Sequence, residues 1–248
     1  MRPTLGQELD KYCTAGTVVT VLASVPLADR TRLLEEGKQR KLELKRVELC
    51  HELGSPQQRK HLERVLTERP YASALVLAEE EADISASDSR ALTTLLLVRD
   101  ILRVMAAEAA AAGGPPPVEM TLLGEILDSE TRDLVAAAGV SDYIMSNQLL
   151  SKMFAMVAEN AATGPLLAVL FSEEGDELHV RDARAYAAEG ETLSFWEMAA
   201  RARARGDCAV GHKRGGARVE LNPPDKQRRV RWGRGDFLVV IGDDAGET

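Results

Sequence analysis

The sequence predicts an α/β protein in which a Rossmann-like parallel sheet is followed by a small α+β lobe. Two observations lead to this prediction. Short β-branched or apolar runs alternate with helical patterns up to about residue 162, which is typical of a parallel sheet with helices on both faces. After that point the segments become shorter and are separated by glycine or proline. We therefore place a Rossmann-like lobe at residues 1–162 and the α+β lobe at residues 163–248.

The elements of the first lobe follow from the apolar runs and their boundaries. The first strand is TVVTVLAS, residues 17–24, a β-branched run bounded by Gly16 and Pro26. The later strands are predicted at residues 44–50, 72–78, 118–123 and 143–145. Helices are predicted at residues 27–38, 56–67, 129–138 and 147–160. Pro56 suits the first position of its helix, because its missing N–H would be unpaired there in any case.

One more helix of this lobe begins near Ser87 and is too apolar for a surface helix. Ser87 or Asp88 is predicted as its N-cap, because a side-chain oxygen there can accept a free backbone N–H of the first turn. From Leu92 to Ile101 apolar residues occupy nearly every face. We therefore expect this helix to lie on the sheet and to be covered on its outer side as well.

The second lobe contains shorter elements. Its helices are predicted at residues 166–172 and 195–205. Its strands are predicted at residues 177–180, 208–212, 218–221 and 237–241. Glycine or proline separates these strands, so the lobe is expected to be a small α+β unit.

The composition is that of a globular protein that stays in solution. Apolar residues make up 45% of the chain and charged residues 28%, which argues against disorder. Aromatic residues are only 4%, so a core of Leu, Val, Ala and Ile is expected. No run approaches the roughly 18 apolar residues of a membrane span, and the first residues lack the apolar centre of a secretion signal. Cys13, Cys50 and Cys208 are far apart, so neither a zinc site nor a disulfide is predicted.

The charge is unevenly distributed. The net charge is −8, yet residues 201–234 contain eleven Lys or Arg and three Asp or Glu, so the remainder carries −16. This asymmetry predicts complementary surfaces or an attraction for cations. The basic run at residues 223–234 includes one tryptophan, which suggests nucleic acid. Because the run is short and lies between strands of an acidic protein, we predict an exposed edge or a protein interface and no nucleic-acid partner.

No enzyme motif is visible. A dinucleotide site would need a G-x-G-x-x-G loop between a strand and a helix, and neither that loop nor a phosphate-binding Walker loop occurs. Gly233 and Gly235 lie beside the last strand with no helix behind them, so they predict a turn. Cys50 and His51 are neighbours in a predicted strand and would point to opposite faces. We therefore predict no catalytic residue and no enzyme.

Two acidic clusters are the candidate metal sites. One follows the third strand, where ligands collect in open α/β sheets, and the other surrounds a glycine turn in the second lobe. The candidate ligands are Glu79, Glu80, Asp83 and Asp88 in the first cluster, and Glu173, Glu174, Asp176 and Glu177 in the second. Several carboxylates on flexible loops suit calcium, although neither spacing is that of an EF-hand. The alternative for each cluster is a set of solvated loop acids and helix N-terminal charges.

Several strings resemble the CASTOR/POLLUX ion-channel family. They include ASDSRALTTLLLVRDI, GEILDSETRDLV, SDYIMSNQLLSKMFAMVAE and LFSEEGDELHV, and GETLSFWEMAARARARGD, LNPPDK and GDFLVVIG extend the resemblance to the C-terminus. The resemblance covers almost the whole chain from Leu5 onward. The second lobe also resembles the TrkA-C module, with a turn at Pro223 and Pro224 and a Gly-Asp pair before the last strand.

The resemblance implies an RCK-type domain. Such domains assemble into a gating ring on a tetrameric cation channel, and calcium binding to the ring regulates the pore. Other RCK domains would then be the partners, one of which could cover the outer side of the Ser87 helix, as could a later helix of the same lobe. Attachment to a membrane would come through the parent channel, in the nuclear or plastid envelope. Calcium is the one candidate ligand, and no cofactor is predicted.

The helix predicted at residues 147–160 is the candidate assembly surface. Its apolar stripe consists of Leu149, Leu150, Met153, Phe154 and Val157. The alternative is that this stripe belongs to the core of the same chain.

The chain departs from the family in two ways. The pore helices are absent, and LGQELDKY matches the end of a helix whose preceding strand is missing. That strand would lie in the middle of the sheet, and its loss also removes the loop where a dinucleotide would bind. Two other functions stay open: a stand-alone TrkA-like subunit that docks on a separate channel, and a degenerate Rossmann oxidoreductase.

Overall fold

The structure is a computed structural model that describes residues 3–30, 44–79, 83–114, 120–137, 143–172 and 175–243. The chain divides into two compact units, Met1–Met156 and Val157–Thr248. Each unit has its own sheets and its own buried core.

The first unit alternates strands and helices along the chain. Its strands are β1 Thr17–Ala23, β2 Val47–Leu53, β3 Ser73–Val76, β4 Thr121–Ile126 and β5 Tyr143–Met145. Its helices are α1 Pro3–Tyr12, α2 Arg59–Glu68, α3 Ile84–Ala111, α4 Ser129–Ala137 and α5 Ser146–Glu159, the last of which runs across the boundary between the units. Residues 27–30 are also helical, and the rest of the helix predicted at 27–38 lies outside the described residues.

All strand pairs of this unit are parallel. The strand β1 pairs with β2 from Thr17 opposite Val47 to Ala23 opposite Leu53. The strand β4 pairs with β3 on one side and with β5 on the other. The prediction of a Rossmann-like parallel α/β lobe is therefore confirmed. Among the described strands β1 and β3 do not pair, so the sheet is in two parts where the sequence predicts a missing strand.

The helix α3 begins at Ile84, so the prediction that Ser87 or Asp88 caps it is wrong. Asp83 is the N-cap, and its Oδ1 accepts a hydrogen bond of 3.1 Å from the backbone N–H of Ala86. Asp83 has the same capping chemistry as Ser87 and Asp88, and the helix uses the earliest of the three. Ser87 and Asp88 are then the fourth and fifth residues of the helix, and their side chains bond elsewhere.

The same helix is covered on more than one side. Leu95, which is fully buried, packs with Ile126 of β4 and Val135 of α4. Ile101, one turn and a half further on, packs with Leu62 of α2. The apolar residues around α3 are thus covered by the sheet and by two helices of the same unit, one earlier and one later in the chain.

The second unit is a small α+β lobe, as predicted. Its helices are α6 Thr163–Leu170 and α7 Phe195–Arg203. Its strands are β6 Glu177–Asp182, β7 Thr192–Ser194, β8 Cys208–Lys213, β9 Glu220–Leu221, β10 Arg229–Arg231 and β11 Phe237–Gly242. An antiparallel sheet has the order β6-β11-β8-β9, and β7 pairs with β10 separately. The two short strands β7 and β10 were not predicted.

Aromatic side chains contribute to the core of the second unit despite their scarcity. Tyr186, Phe195 and Trp232 are all buried there, together with Met198 of α7 and Leu238 of β11. The expected core of Leu, Val, Ala and Ile describes the first unit, whereas in the second unit aromatic residues and a methionine join Ala, Leu and Val. Helix α7 is fixed at its start by a capping box between Ser194 and Glu197.

Candidate functional site

The first acidic cluster lies between β3 and α3, and each of its described carboxylates has a protein partner. Glu79 forms an ion pair with Arg90, with 3.0 Å between Oε2 and Nε. Asp83 is the N-cap of α3. Glu80 lies outside the described residues. The described acids of this cluster are thus engaged in holding the start of α3.

Asp88 binds backbone groups at the end of β4. Its side chain is fully buried, and its two oxygens accept hydrogen bonds of 2.9 Å from Leu127 N and 2.8 Å from Asp128 N. Glu125 of β4 acts in the same way, because its Oε2 accepts a hydrogen bond of 3.1 Å from Ala78 N. The two buried carboxylates therefore tie α3, β3 and β4 together at the carboxyl edge of the sheet.

Sequence reasoning missed Glu125. The signal was its place in GEILDSE, where one carboxylate interrupts an apolar strand. Such a residue is buried only when it is paired, so it marks a position where the sheet edge needs an acceptor.

The second acidic cluster lies at the start of β6. Asp176 is exposed and Glu177 is half-buried, and Gly175 beside them adopts φ of 100°, a left-handed conformation that favours glycine. Glu173 and Glu174 lie outside the described residues. Across the part of the chain that the structure describes, no three His, Cys, Asp or Glu side chains come together in a way that could hold a metal ion. The calcium sites therefore stay a prediction.

Helix α5 carries the predicted assembly stripe, and none of its residues is buried. Phe154 is 66% exposed, Leu150 51% and Leu149 48%. Met153 and Val157 are half-buried. An exposed apolar stripe of this kind is typical of an interaction surface. Both the assembly surface and the intramolecular alternative stay predictions.

Helix α6 of the second unit is also apolar and also has no buried residue. Leu166 and Val169 are each 57% exposed, and Phe171 just after the helix is exposed as well. A short helix that is apolar on every side and exposed on most of them is unusual for a monomeric protein. The sequence predicted the helix but not this surface.

An arginine occupies the carboxyl end of β1. The guanidinium of Arg30 is largely buried and donates to the carbonyl oxygens of Val21, Ala23, Val25 and Glu52. Burial, together with this positive charge, lowers the pKa of His51 on β2. Cys50 and His51 are adjacent on a strand, as predicted, and the structure gives them no hydrogen bond to each other.

The basic run of the second unit is divided between core and surface. Trp232 is buried, and its indole N–H donates to Leu193 O at 3.0 Å. Arg229 lies at the surface, 3.4 Å from Glu197. The tryptophan is therefore a core residue.

No helix among the described residues is both long enough and apolar enough to cross a membrane. The longest, α3, has 28 residues and lies within the packed core of the first unit.

No family model matches the chain. Individual proteins do match it, and they are ion channels. The chain is 37% identical over 253 residues to the probable ion channel CASTOR of Oryza sativa subsp. japonica, across 94% of this chain and 28% of that protein. It is 35% identical over 252 residues to the ion channel CASTOR of Lotus japonicus, across 94% and 29%. The probable ion channel POLLUX of Oryza sativa subsp. japonica is 34% identical over 259 residues, across 97% and 27%.

The predicted resemblance to the CASTOR/POLLUX ion-channel family is therefore confirmed over nearly the whole chain. The chain spans less than a third of the length of these relatives.

Two solved structures also align with the chain. The crystal structure of the GsuK RCK domain aligns with a TM-score of 0.35 and 16% identity, across 93% of this chain and 45% of that one. The NADH-dependent reductase A1-R′ responsible for alginate metabolism aligns with a TM-score of 0.33 and 16% identity, across 63% and 65%. TM-scores this low carry no conclusion about function.

Proposed function

We propose that this chain, a relative of CASTOR/POLLUX ion channels over 94% of its length, is a regulatory domain of a cation channel of that type. In this proposal it assembles with copies of itself into a ring and biases the opening of a pore. The pore-forming part belongs to the remaining length of the relatives, which this chain does not cover. Support comes from the sequence match and from the apolar surface of α5.

The exposed stripe of α5 is the observation that carries the proposal. Burying apolar surface stabilises an assembly by about 25 cal/mol per Å2. Three large side chains, Leu149 and Leu150 on one turn and Phe154 on the next, are each about half exposed or more. A second copy of the chain offers an identical helix, and closed symmetric assemblies commonly place such faces against each other. We therefore assign a second copy as the partner of this stripe.

Sedimentation equilibrium on the 248-residue chain tests the assembly. We expect the wild-type chain to self-associate. Leu150→Ser or Phe154→Ser should weaken the association at least tenfold, because each variant loses an apolar side chain that the assembly would bury at its interface. Leu134→Ser is the matched control, since Leu134 is 63% exposed on α4 and lies outside the stripe. Equal weakening by the control, or a monomeric wild-type chain, would argue against the proposal.

Regulation of the pore needs a measurement on the full-length channel that contains this segment. The ring would act by population shift, favouring one state of the pore over another. We expect Phe154→Ser in that channel to change the open probability while the single-channel conductance stays the same. A change in conductance with an unchanged open probability would contradict a regulatory role.

We propose calcium as the ligand of the ring, bound by the acidic clusters that contain Glu79, Glu80, Asp83 and Asp88 and Glu173, Glu174, Asp176 and Glu177. The chain outside residues 201–234 carries a net charge of −16, which favours the binding of cations. Calorimetry should show heat on addition of calcium, and neutralising Asp176 and Glu177 to their amides should reduce it. No heat and no thermal shift at millimolar calcium would remove calcium from the proposal.

Two further parts of the proposal follow from the parent channel. The domain regulates and does not catalyse, so NADH fluorescence should be unchanged when the chain is added. Saturable binding of NADH would instead favour the alternative of a degenerate Rossmann oxidoreductase.

The chain reaches the nuclear or plastid envelope through the parent channel, so a tagged full-length protein should be found there.

A further inference from the structure

A cavity in the second unit has a lining that the proposed function does not use. It measures about 230 Å3 and lies among the start of α7, β8, β10 and the turn before β10. Its aromatic wall consists of Phe195, His212 and Trp232. The ring of His212 meets Phe195 edge-on at 6.0 Å between centroids and lies 5.8 Å from Trp232. The wall is rigid, because Phe195 and Trp232 are both core residues.

Two nitrogen atoms in this lining lack hydrogen-bond partners. Neither His212 Nδ1 nor Arg214 Nε, both buried, has a partner among the described residues. Arg214 donates to Arg231 O at 2.9 Å and lies over the ring of Trp232 at 5.7 Å. Its Nε is 4.0 Å from Asp236, which is too far for a hydrogen bond.

Positive charge predominates around the opening. Arg218 and Arg228 line the cavity beside Arg214, and neither forms an ion pair within the described part of the chain. The two carboxylates of the lining are Glu220 and Asp225. Asp225 is already used by its turn, because its Oδ1 accepts from Gln227 N at 3.2 Å and Arg228 N at 3.0 Å. Glu220 is half exposed, 3.9 Å from His212 Nε2.

We propose that this cavity binds the phosphate group of a small phosphate monoester. Three guanidinium groups and an imidazole surround the cavity, and guanidinium forks match the oxygens of a phosphate in paired hydrogen bonds. The buried N–H of Arg214 Nε would then find an acceptor, as would His212 Nδ1 in the tautomer that carries its proton there. The volume is below the ~300–1,000 Å3 of sites for drug-sized ligands, so the ligand is small. The apolar rings of Phe195 and Trp232 in the lining would contact the organic part of the phosphate monoester.

Tryptophan fluorescence can report on the cavity directly. The chain has two tryptophans, and Trp196 is 56% exposed outside the cavity, so Trp196→Phe leaves Trp232 as the reporter. Inorganic phosphate and glycerol 3-phosphate are titrated into this variant, with sodium chloride at equal ionic strength and acetate as reference anions. We expect saturable changes with the two phosphates only, and tighter binding of the ester.

The ligand contacts are tested by removing one arginine at a time. Arg218→Ala and Arg228→Ala should each weaken phosphate binding about tenfold or more, because each removes a charged hydrogen-bond donor. Arg203→Ala, an exposed arginine of α7 outside the cavity, removes the same charge and should leave the affinity unchanged. Thermal unfolding of each variant shows that it is folded.

Three results would overturn the proposal. One is a fluorescence change that follows ionic strength alone, and another is equal weakening by Arg203→Ala. The third is binding of acetate as tight as that of phosphate, which would assign the cavity to carboxylates. None of these measurements depends on self-association or on the pore. A failure of the phosphate-binding proposal can therefore be distinguished from a failure of the proposed function.

Discussion

Asp207 and Arg181 form a buried ion pair in the second unit, with 2.7 Å between Asp207 Oδ1 and Arg181 Nη1. Their side chains are only 2% and 9% exposed. The second oxygen of Asp207 accepts a hydrogen bond of 2.6 Å from the hydroxyl of Tyr186. Burial, reinforced by this carboxylate, raises the pKa of Tyr186 to about 12. Gly242 leaves the space for the carboxylate, since a Cβ there would meet Asp207 Oδ1 and lie 3.4 Å from its Cγ.

Breaking this pair should strongly destabilise the second unit. Asp207→Ala leaves the guanidinium of Arg181 buried without its counter-charge, which typically costs about 3–5 kcal/mol of unfolding free energy. Urea denaturation measures the loss. The exposed pair of Arg184 with Asp182 is the control, and Arg184→Ala should cost far less because solvent screens that pair. Similar losses in the two variants would show that burial of the Asp207 pair contributes little.

Asp88 should matter for stability more than a surface acid does. In Asp88→Ala the N–H groups of Leu127 and Asp128 lose their acceptors, which we expect to cost about 2–4 kcal/mol. Asp83→Ala, which removes only the N-cap of α3, should cost about 1 kcal/mol. Chemical denaturation followed by circular dichroism compares the two variants. A smaller loss for Asp88→Ala than for Asp83→Ala would contradict the structural role of Asp88.

Gly124 of β4 should not tolerate a side chain. A Cβ there would lie 3.1 Å from Leu95 Cδ2 and 3.3 Å from its Cγ, and closer still to Cδ1. Because Leu95 is fully buried, Gly124→Ala should overpack the core and cost about 1–3 kcal/mol. Adding Leu95→Val should cost less in the Gly124→Ala background than in the wild type, as a double-mutant cycle measures. Gly114→Ala, with its nearest atom at 3.4 Å, should be neutral.

The ion pair of Glu191 with Arg201 predicts a dependence of stability on pH. The hydrogen bonds from Arg201, and then from Ala188 N, lower the pKa of Glu191 from 4.5 to about 2. A lowered carboxyl pKa stabilises the folded state above the unfolded value and loses that effect as the pH falls towards the folded one. Glu191→Gln should therefore be less stable than wild type above about pH 4.5, and the difference should vanish near pH 2.

Thermal unfolding between pH 7 and pH 2 measures that difference. Glu159→Gln, an exposed carboxyl at the end of α5, should show no such convergence with the wild-type curve. A deficit of Glu191→Gln that stays constant down to pH 2 would mean that its carboxylate charge does not support the fold.

The sequence by itself determined the order and type of most elements. Local periodicity and the β-branched runs are properties of neighbouring residues, so β5 was predicted with the bounds it has, Tyr143–Met145, and the parallel lobe was predicted from the alternation. The apolar stripe of α5 was visible for the same reason, since helical spacing alone places its residues on one face. The resemblance to an ion-channel family rests on linear strings and needed no structure.

Tertiary structure decided what the polar residues do. Asp83 and Asp88 look alike in the sequence, and only the approach of the end of β4 makes the second a buried acceptor for Leu127 and Asp128. Likewise, the cavity joins Phe195, His212 and Trp232, which are far apart in the chain. Contacts between distant segments depend on how elements pack, and no local pattern encodes which backbone N–H a carboxylate will meet.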